Sequence, residues 1–274
     1  MIMDKVAVIN LSIPVDISQA AEFQQACTVL AQYGIEVVDY ASGRTEPQSM
    51  AQGVREAIED PDVTTVLAFS GGNMAISCLD YIDWQKVGNS GKVFAGLSDF
   101  THFSWKAVEA GADCAYGTSL KDFVKYRLTD AERQPVIEFL KTGKVAPFSP
   151  LLLHGEGVVK EWSKESIIGG HSFISLLMAA ESSLPMADRV LMLEHHYNGA
   201  ESLDDLQYWG AALARVFAKN PPKAVLLGHS MVMGSDGQLA SPDSANEVFC
   251  IGLAPLNRSV YYVDHFTTLV PFQA

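Results

Sequence analysis

The sequence has little cationic charge and no long apolar run, and each shortage excludes a class of protein. Its 19 lysines and arginines stand against 32 aspartates and glutamates, which gives a formal net charge of −13. Because no basic stripe is available to neutralise phosphates, we expect no nucleic-acid partner. No apolar stretch approaches the roughly 18 residues that a bilayer span needs, so we expect no membrane partner either.

Cysteines and targeting signals are equally sparse. The chain has four cysteines, Cys27, Cys78, Cys114 and Cys250. They are scattered through apolar or helical surroundings, which indicates reduced thiols rather than a disulfide framework or a zinc site. The sequence begins without the basic region, apolar core and cleavage site of a secretory signal. We therefore expect a cytoplasmic protein with no metal and no cofactor.

In the first half of the chain, strand-like apolar segments alternate with helical ones. The predicted strands cover 6–10, 35–40, 63–69 and the KVFAGLSD run at 92–99, and the predicted helices cover 20–33, 48–59 and 74–82. This alternation predicts an α/β fold with a doubly wound, mostly parallel sheet of the Rossmann or flavodoxin type. Functional sites in such sheets form at the carboxyl ends of the strands.

A chain of 274 residues is long for a single hydrophobic core, so we expect two domains. The predicted boundaries give an N-terminal α/β domain at 1–148, a linker at 149–166 and a smaller mixed α+β domain at 167–274. In the latter, IIGGHSFISLLMAA is interpreted as a glycine turn and a helix, and VFCIGLAP as a short strand.

The most informative segment is Gly96-Leu97-Ser98-Asp99, which ends a predicted buried strand and precedes a predicted helix. A strand, a sharp turn with serine and a helix form the nucleophile elbow of serine hydrolases. The helix amides at this turn are suited to stabilising an oxyanion. The segment lacks the second glycine of G-x-S-x-G, and the alternative is that Ser98 is an ordinary helix N-cap.

A second strand-end signal is Gly71-Gly72, after the apolar run VTTVLAFS. Such a pair is commonly only a turn. It also lets a backbone amide approach a ligand closely, and the neighbouring strand end would place it near Ser98 as a second oxyanion donor. The glycines do not match a Walker or Rossmann phosphate loop, so nucleotide binding is not the leading interpretation.

A nucleophilic serine needs a base and a group that orients the base. Glu194 closes the apolar run RVLML, where a buried charge is costly unless it is paired. The alternative is a strand-end carboxylate exposed to water.

Of the seven histidines, four fit the role of base poorly. His102, one helical turn after Ser98, is expected to face solvent or the helix surface, and His154 lies in the expected linker. His195 and His196 flank Glu194. The candidates that remain are His171, His229 and His265.

The chain as a whole resembles the LD-carboxypeptidase family of serine peptidases, which includes the microcin C immunity hydrolases. The resemblance extends over nearly the whole length, and the shared order and spacing of several short segments carry it. These segments are AQYGIEVV, REAIEDPDVTTVLAFSGGN, LDYIDW, KVFAGLSDFT, AYGTSL, IIGGHSFISLL, RVLMLEHH and VDHFTTLVP.

The resemblance implies a Ser98, Glu194 and His265 triad. It also implies an oxyanion hole formed by the amides of Gly72 and Asp99, with no metal. Three further residues, Gly71, Asn73 and His171, border the implied substrate cleft. The chain departs from the family where Asp264 replaces a glycine before His265, where Ser70 and Asn73 flank the glycine pair, and where Gly-Gly-His replaces Gly-Gly-Asn. His229, which does follow a glycine, is the competing base.

The function implied is hydrolysis of an L,D amide bond in a small peptide, with release of terminal D-alanine from murein tetrapeptides during peptidoglycan recycling. The family also implies a homodimer. One alternative is a microcin C-type peptidyl-nucleotide hydrolase, in which Trp162 would contact the nucleobase. Another alternative, of a different class, is a non-catalytic protein that binds murein fragments.

Overall fold

The computed structural model describes residues 4–15, 17–125, 130–157, 161–162, 166–195, 202–234, 237–264 and 270–272. These residues form two compact units. The first unit comprises the described positions up to 146 together with 270–272, and the second comprises the described positions from 147 to 264.

The strands of the described chain are β1 (Asp4–Ile9), β2 (Ile35–Asp39), β3 (Thr65–Ala68), β4 (Val93–Gly96), β5 (Asp113–Tyr116), β6 (Leu151–His154), β7 (Ile167–His171), β8 (Val190–His195), β9 (Ala224–Ser230), β10 (Val260–Tyr262) and β11 (Val270–Phe272). The α-helices are α1 (Ile17–Gln32), α2 (Pro47–Glu59), α3 (Ala75–Cys78), α4 (Trp84–Asn89), α5 (Thr101–Glu109), α6 (Asp122–Lys125), α7 (Asp130–Thr142), α8 (Ser172–Glu181), α9 (Leu203–Val216) and α10 (Pro242–Leu253).

The sheet of the first unit has the order β11-β5-β4-β3-β1-β2. Strands β1 to β5 are parallel, and β11 pairs antiparallel with β5. The order moves outward from β1 in both directions. Because parallel crossovers are right-handed, connections in opposite directions place their helices on opposite faces of the sheet. The predicted doubly wound α/β fold is confirmed.

The core of the first unit lies between this sheet and its helices. Buried valines and leucines of the strands pack against large apolar side chains of α1 and α7. The strands are apolar on both faces, as expected when helices cover both, and every residue of β3 is buried. This packing fixes the carboxyl ends of β1, β3 and β4, which carry the candidate site residues.

The second unit contains a mixed sheet with the order β6-β10-β9-β8-β7, in which only β6 is antiparallel to its neighbour. Helices α9 and α10 pack closely because each has a glycine at the crossing. A Cβ added to Gly210 would lie 3.0 Å from the Cα of Gly252. The predicted mixed α+β character of this part is confirmed.

Three segments of the second unit differ from their predictions. The expected linker at 149–166 contains β6, which pairs with β10 as an edge strand. The VFCIGLAP run is not a strand; most of it lies in α10, which begins after an N-cap at Ser241 and a proline at its first turn. The segment Ile167–His171 is a buried strand rather than a glycine turn.

None of the helices in the described part of the chain has the length and apolarity needed to cross a membrane. The four cysteines are free thiols.

Candidate active site

Ser98 has the backbone conformation of a nucleophile elbow. It follows β4 and the extended residue Leu97. Its φ of 56° lies in the left-handed region that non-glycine residues rarely adopt. Gly96 makes the sharp turn possible, because a Cβ there would lie 2.1 Å from the Phe100 ring. Ser98 is partly exposed at the end of the strand.

Two hydrogen bonds hold the elbow in place. The Ser98 amide donates to the phenolic oxygen of Tyr116 at 2.7 Å, and the Thr101 hydroxyl donates to the Ser98 carbonyl at 2.6 Å. Tyr116 is fully buried at the end of β5 and stacks on Phe272 of β11, with ring centroids 5.3 Å apart. Tyr116 belongs to the AYGTSL segment that carries the family resemblance, but no role was predicted for its side chain.

The Gly71-Gly72 turn lies against the elbow. A Cβ added to Gly71 would be 2.9 Å from the Cβ of Ser98, so only glycine allows this approach. A Cβ added to Gly72 would be 2.4 Å from the Ser12 carbonyl oxygen. The same oxygen accepts hydrogen bonds from the amides of Asn73 and Met74, at 3.1 and 3.2 Å. The predicted proximity of Ser98 and the glycine turn is therefore present.

Asp99 and His102 are both buried beside this turn, with 2% and 5% of their surfaces exposed. Asp99 Oδ2 accepts a hydrogen bond from the Ala75 amide at 2.9 Å, and Asp99 Oδ1 lies 3.1 Å from His102 Nδ1. The prediction that His102 faces solvent or the helix surface is wrong, because α5 turns this side chain inward onto the Asp99 carboxylate. Burial, together with the Asp99 charge, raises the pKa of the nearby Cys78 thiol to about 11.

In the second unit, Glu194 is fully buried near the end of β8. The alternative of a water-exposed strand end is excluded. Leu193 lies opposite Leu227 and His195 opposite Ser230, so two residues of β9 face Glu194 in a bulge. Bulges of this kind re-aim side chains and are frequent beside active sites.

Two of the candidate histidines lie on strands next to Glu194. His171 is opposite Glu194 in the β7–β8 register and is 8% exposed. His229 is one of the two β9 residues in the bulge and is partly exposed. The second unit therefore places both in the strand segments that flank the carboxylate.

His195, next to Glu194, is fully buried, and its Nδ1 lies 2.5 Å from the hydroxyl of Ser172 at the start of α8. Gly169 of β7 has a φ of 138°, and a Cβ there would lie 1.9 Å from the Met192 carbonyl oxygen. Gly169 therefore allows β7 to lie close to β8. This glycine serves strand packing and not the turn that was predicted for IIGGH.

The predicted residues are distributed between the two units. Ser98, Asp99, Gly71, Gly72 and Asn73 lie together in the first unit, while Glu194 and His171 lie together in the second. The predicted base His265 lies outside the described residues, as does His196. Among the residues that the structure describes, no group of three or more His, Cys, Asp or Glu is placed to hold a metal ion.

Comparison with known families finds a match for the part of the chain that contains the elbow. Residues 6–117 match the family model of the LD-carboxypeptidase N-terminal domain. This span runs from within β1 to the end of β5 and includes the glycine turn and Ser98. This part of the first unit is therefore similar to the LD-carboxypeptidase N-terminal domain, and the resemblance inferred from the sequence is confirmed.

The individual relatives are similar over different spans. A Vibrio cholerae serotype O1 protein named "Putative carboxypeptidase" is 30% identical over 107 residues, which are 36% of this chain and 31% of that protein. The match thus covers less than a third of that relative's length.

Two solved structures are similar over almost the whole chain. The muramoyltetrapeptide carboxypeptidase from Oxalobacter formigenes superposes with a TM-score of 0.78 at 23% identity, covering 97% of this chain and 93% of that one. The microcin C7 self immunity protein MccF, in complex with aspartyl sulfamoyl adenosine, gives 0.77 at 18% identity and covers 100% and 92%. At these identities the likeness shows the shared fold.

Proposed function

We propose that this protein is a serine carboxypeptidase that hydrolyses an L,D amide bond of a small peptide, with Ser98 as the nucleophile. The observation that carries the proposal is the left-handed Ser98, with a φ of 56°, directly against the Gly71-Gly72 turn. A non-glycine residue persists in this conformation only where the surrounding structure enforces it, and such strain is concentrated at active sites. The family match over residues 6–117 supports a carboxypeptidase role.

In the proposed mechanism, a base accepts the Ser98 proton while the Ser98 oxygen attacks the scissile carbonyl carbon. The amides of Gly72 and Asp99 hold the developing oxyanion. The Ser98 amide is not a donor to it, because it is already bonded to Tyr116. In keeping with this role, the Asn73 and Met74 amides are bonded to Ser12, while among the described residues the Gly72 amide has no such bond.

The resemblance assigns the base to His265 and its orientation to Glu194. A base that takes the serine proton becomes cationic, and a buried carboxylate beside it stabilises that charge. Glu194 is fully buried, which suits this task, since a buried carboxylate needs a partner. The protonated base then gives its proton to the leaving amine, and water, deprotonated by the same base, hydrolyses the acyl-enzyme.

The substrate in this proposal is a murein tetrapeptide that loses terminal D-alanine, as in peptidoglycan recycling. Gly71, Asn73 and His171 would border its cleft. The structural likeness to the muramoyltetrapeptide carboxypeptidase of Oxalobacter formigenes supports this choice. The proposal includes a cytoplasmic location and a homodimer, and light scattering on the purified protein tests the latter.

The likeness to the microcin C7 self immunity protein supports a second candidate, hydrolysis of a peptidyl-nucleotide. Trp162 does not favour it. Its side chain is 4% exposed and packs edge-on against Tyr261 and Phe148, with ring centroids 4.9 and 5.9 Å away. This tryptophan fills the space between two other aromatic rings of the second unit, which leaves little of its surface for stacking on a base.

Labelling with a fluorophosphonate tests the nucleophile and separates an enzyme from a non-catalytic binder. We expect one covalent adduct, mapped by mass spectrometry to Ser98 and lost in Ser98→Ala. Ser104→Ala is the matched control and should keep the label, because Ser104 is a fully buried serine of the neighbouring helix α5. Labelling of another serine, or of none, contradicts the proposal.

A further inference from the structure

The Asp99 side chain connects two segments that the sequence separates by 24 residues. Its Oδ2 accepts the Ala75 amide at 2.9 Å, and its Oδ1 lies 3.1 Å from His102 Nδ1. Ala75 begins α3, directly after the glycine turn, and His102 lies on α5, directly after the elbow. One buried carboxylate therefore holds the turn and the elbow together.

The start of α3 needs this contact. Helix α3 has only four residues, and its N-cap Met74 makes no side-chain capping hydrogen bond. The first amides of a helix have no partner within the helix, so another group must accept from them. Asp99 does so from a position distant in sequence, through its side-chain Oδ2.

The glycine turn is thus fixed from three sides. Ser12 accepts the amides of Asn73 and Met74, Asp99 accepts that of Ala75, and Gly71 lies against the Ser98 side chain. The Gly72 amide lies between these attachments. Its position relative to Ser98 depends on the Asp99 carboxylate, which belongs to the residue after the nucleophile.

We propose that the Asp99 carboxylate, oriented by His102, is a positioning residue that sets the Gly72 amide at the oxyanion site. This inference rests on the proposed function of Ser98. Asp99 would then serve twice, through its own amide as an oxyanion donor and through its side chain as the anchor of the second donor. The role requires an acceptor atom at this position, and it does not require the negative charge.

The test compares Asp99→Ala with Asp99→Asn in steady-state hydrolysis of an L,D-tetrapeptide. Loss of one oxyanion donor lowers kcat by about 10²–10³-fold, and we expect Asp99→Ala to approach that loss with KM little changed. In Asp99→Asn the side-chain oxygen of the asparagine still accepts the Ala75 amide. The side-chain NH2 of the asparagine donates to the other tautomer of His102. The asparagine variant should therefore recover most of kcat.

A second readout is inhibition by a peptide aldehyde, whose adduct with Ser98 carries an oxyanion-like oxygen. Its affinity should fall in Asp99→Ala in parallel with kcat, because both depend on the oxyanion site.

Asp60→Ala is the matched control. The Asp60 carboxylate also accepts a backbone amide and a hydroxyl, those of Asp62 and Tyr40. Asp60 precedes β3, whereas the elbow follows the carboxyl end of β4. Asp60→Ala should therefore leave kcat unchanged, and thermal melting of all three variants measures the effect on stability.

Three results overturn the inference. These are an unchanged kcat in Asp99→Ala, a loss confined to KM, and an asparagine variant as inactive as the alanine variant. If the wild-type protein shows no hydrolysis that depends on Ser98, the proposed function fails together with this inference. If that hydrolysis is present and Asp99→Ala is fully active, only the role of Asp99 fails.

Discussion

The phenolic oxygen of Tyr116 accepts the backbone amide of Ser98 at 2.7 Å. This bond satisfies an amide that the left-handed turn directs away from the regular strand ladder. Tyr116→Phe removes the acceptor and leaves a part-buried amide unpaired, which costs about 1 kcal/mol in the free energy of unfolding. We expect this loss in urea denaturation, together with a lower kcat because the elbow is less well held.

Tyr40→Phe is the control for this prediction. The Tyr40 phenol donates to Asp60 at 2.8 Å, so its removal also deletes one hydrogen bond, but Asp60 lies ahead of β3. This variant should keep its kcat. Equal kcat values for the two variants would show that the Tyr116 bond has no part in the activity.

The strain at Ser98 should be measurable as stability. A left-handed conformation costs a residue with a Cβ roughly 1–2 kcal/mol relative to glycine. Ser98→Gly should therefore be more stable than Ser98→Ala by about 1 kcal/mol. Both variants should be inactive. Chemical denaturation measures the difference, and an alanine variant at least as stable as the glycine variant would contradict the strained elbow.

Gly71→Ala should reduce activity because its Cβ would lie 2.9 Å from the Ser98 Cβ. The turn or the serine must then shift, and small displacements of reacting groups cost large factors in kcat. We expect kcat to fall by about tenfold or more, measured by release of the leaving amino acid.

Gly91→Ala is the matched control for Gly71→Ala. Gly91 has a φ of 66° and no atom within 4 Å of an added Cβ, so alanine there adds strain without a clash. Gly91 precedes β4, whereas the elbow follows that strand. Gly91→Ala should lose stability and keep kcat; comparable losses of kcat in both variants would indicate a general destabilisation.

The identity of the base is tested by His265→Ala and His229→Ala. The resemblance favours His265, while the bulge of β9 places His229 in the strand segment beside Glu194. We expect kcat to fall severely in His265→Ala and little in His229→Ala. Full activity of His265→Ala together with loss in His229→Ala would reassign the base.

Much of the site was predictable because its residues follow local rules. A serine on a strand-to-helix turn and a Gly-Gly pair after the adjacent strand could be identified from sequence, since both depend on backbone conformations that few residues allow. The burial of Glu194 was one of two interpretations left open, and the continuous apolar run before it supported that interpretation. These features lie within single segments of the chain.

What could not be predicted depends on partners distant in sequence. The buried His102 contacts the Asp99 carboxylate, and Asp99 also accepts the amide of Ala75, 24 residues earlier in the chain. The VFCIGLAP run is short and apolar, and such runs do not distinguish a strand from a helix. Strand β11 joins the sheet of the first unit by pairing with β5. A pairing between segments so distant in sequence cannot be predicted from a local pattern.

The most direct test of the account is release of D-alanine from a murein tetrapeptide by the wild-type protein and by Ser98→Ala, alongside a microcin C-type peptidyl-nucleotide. We expect the wild type to release D-alanine and the variant, while remaining folded, to release none. The nucleotide conjugate should be a poor substrate. Release of D-alanine by Ser98→Ala at the wild-type rate would contradict the serine mechanism. Cleavage of the conjugate alone would contradict the carboxypeptidase assignment.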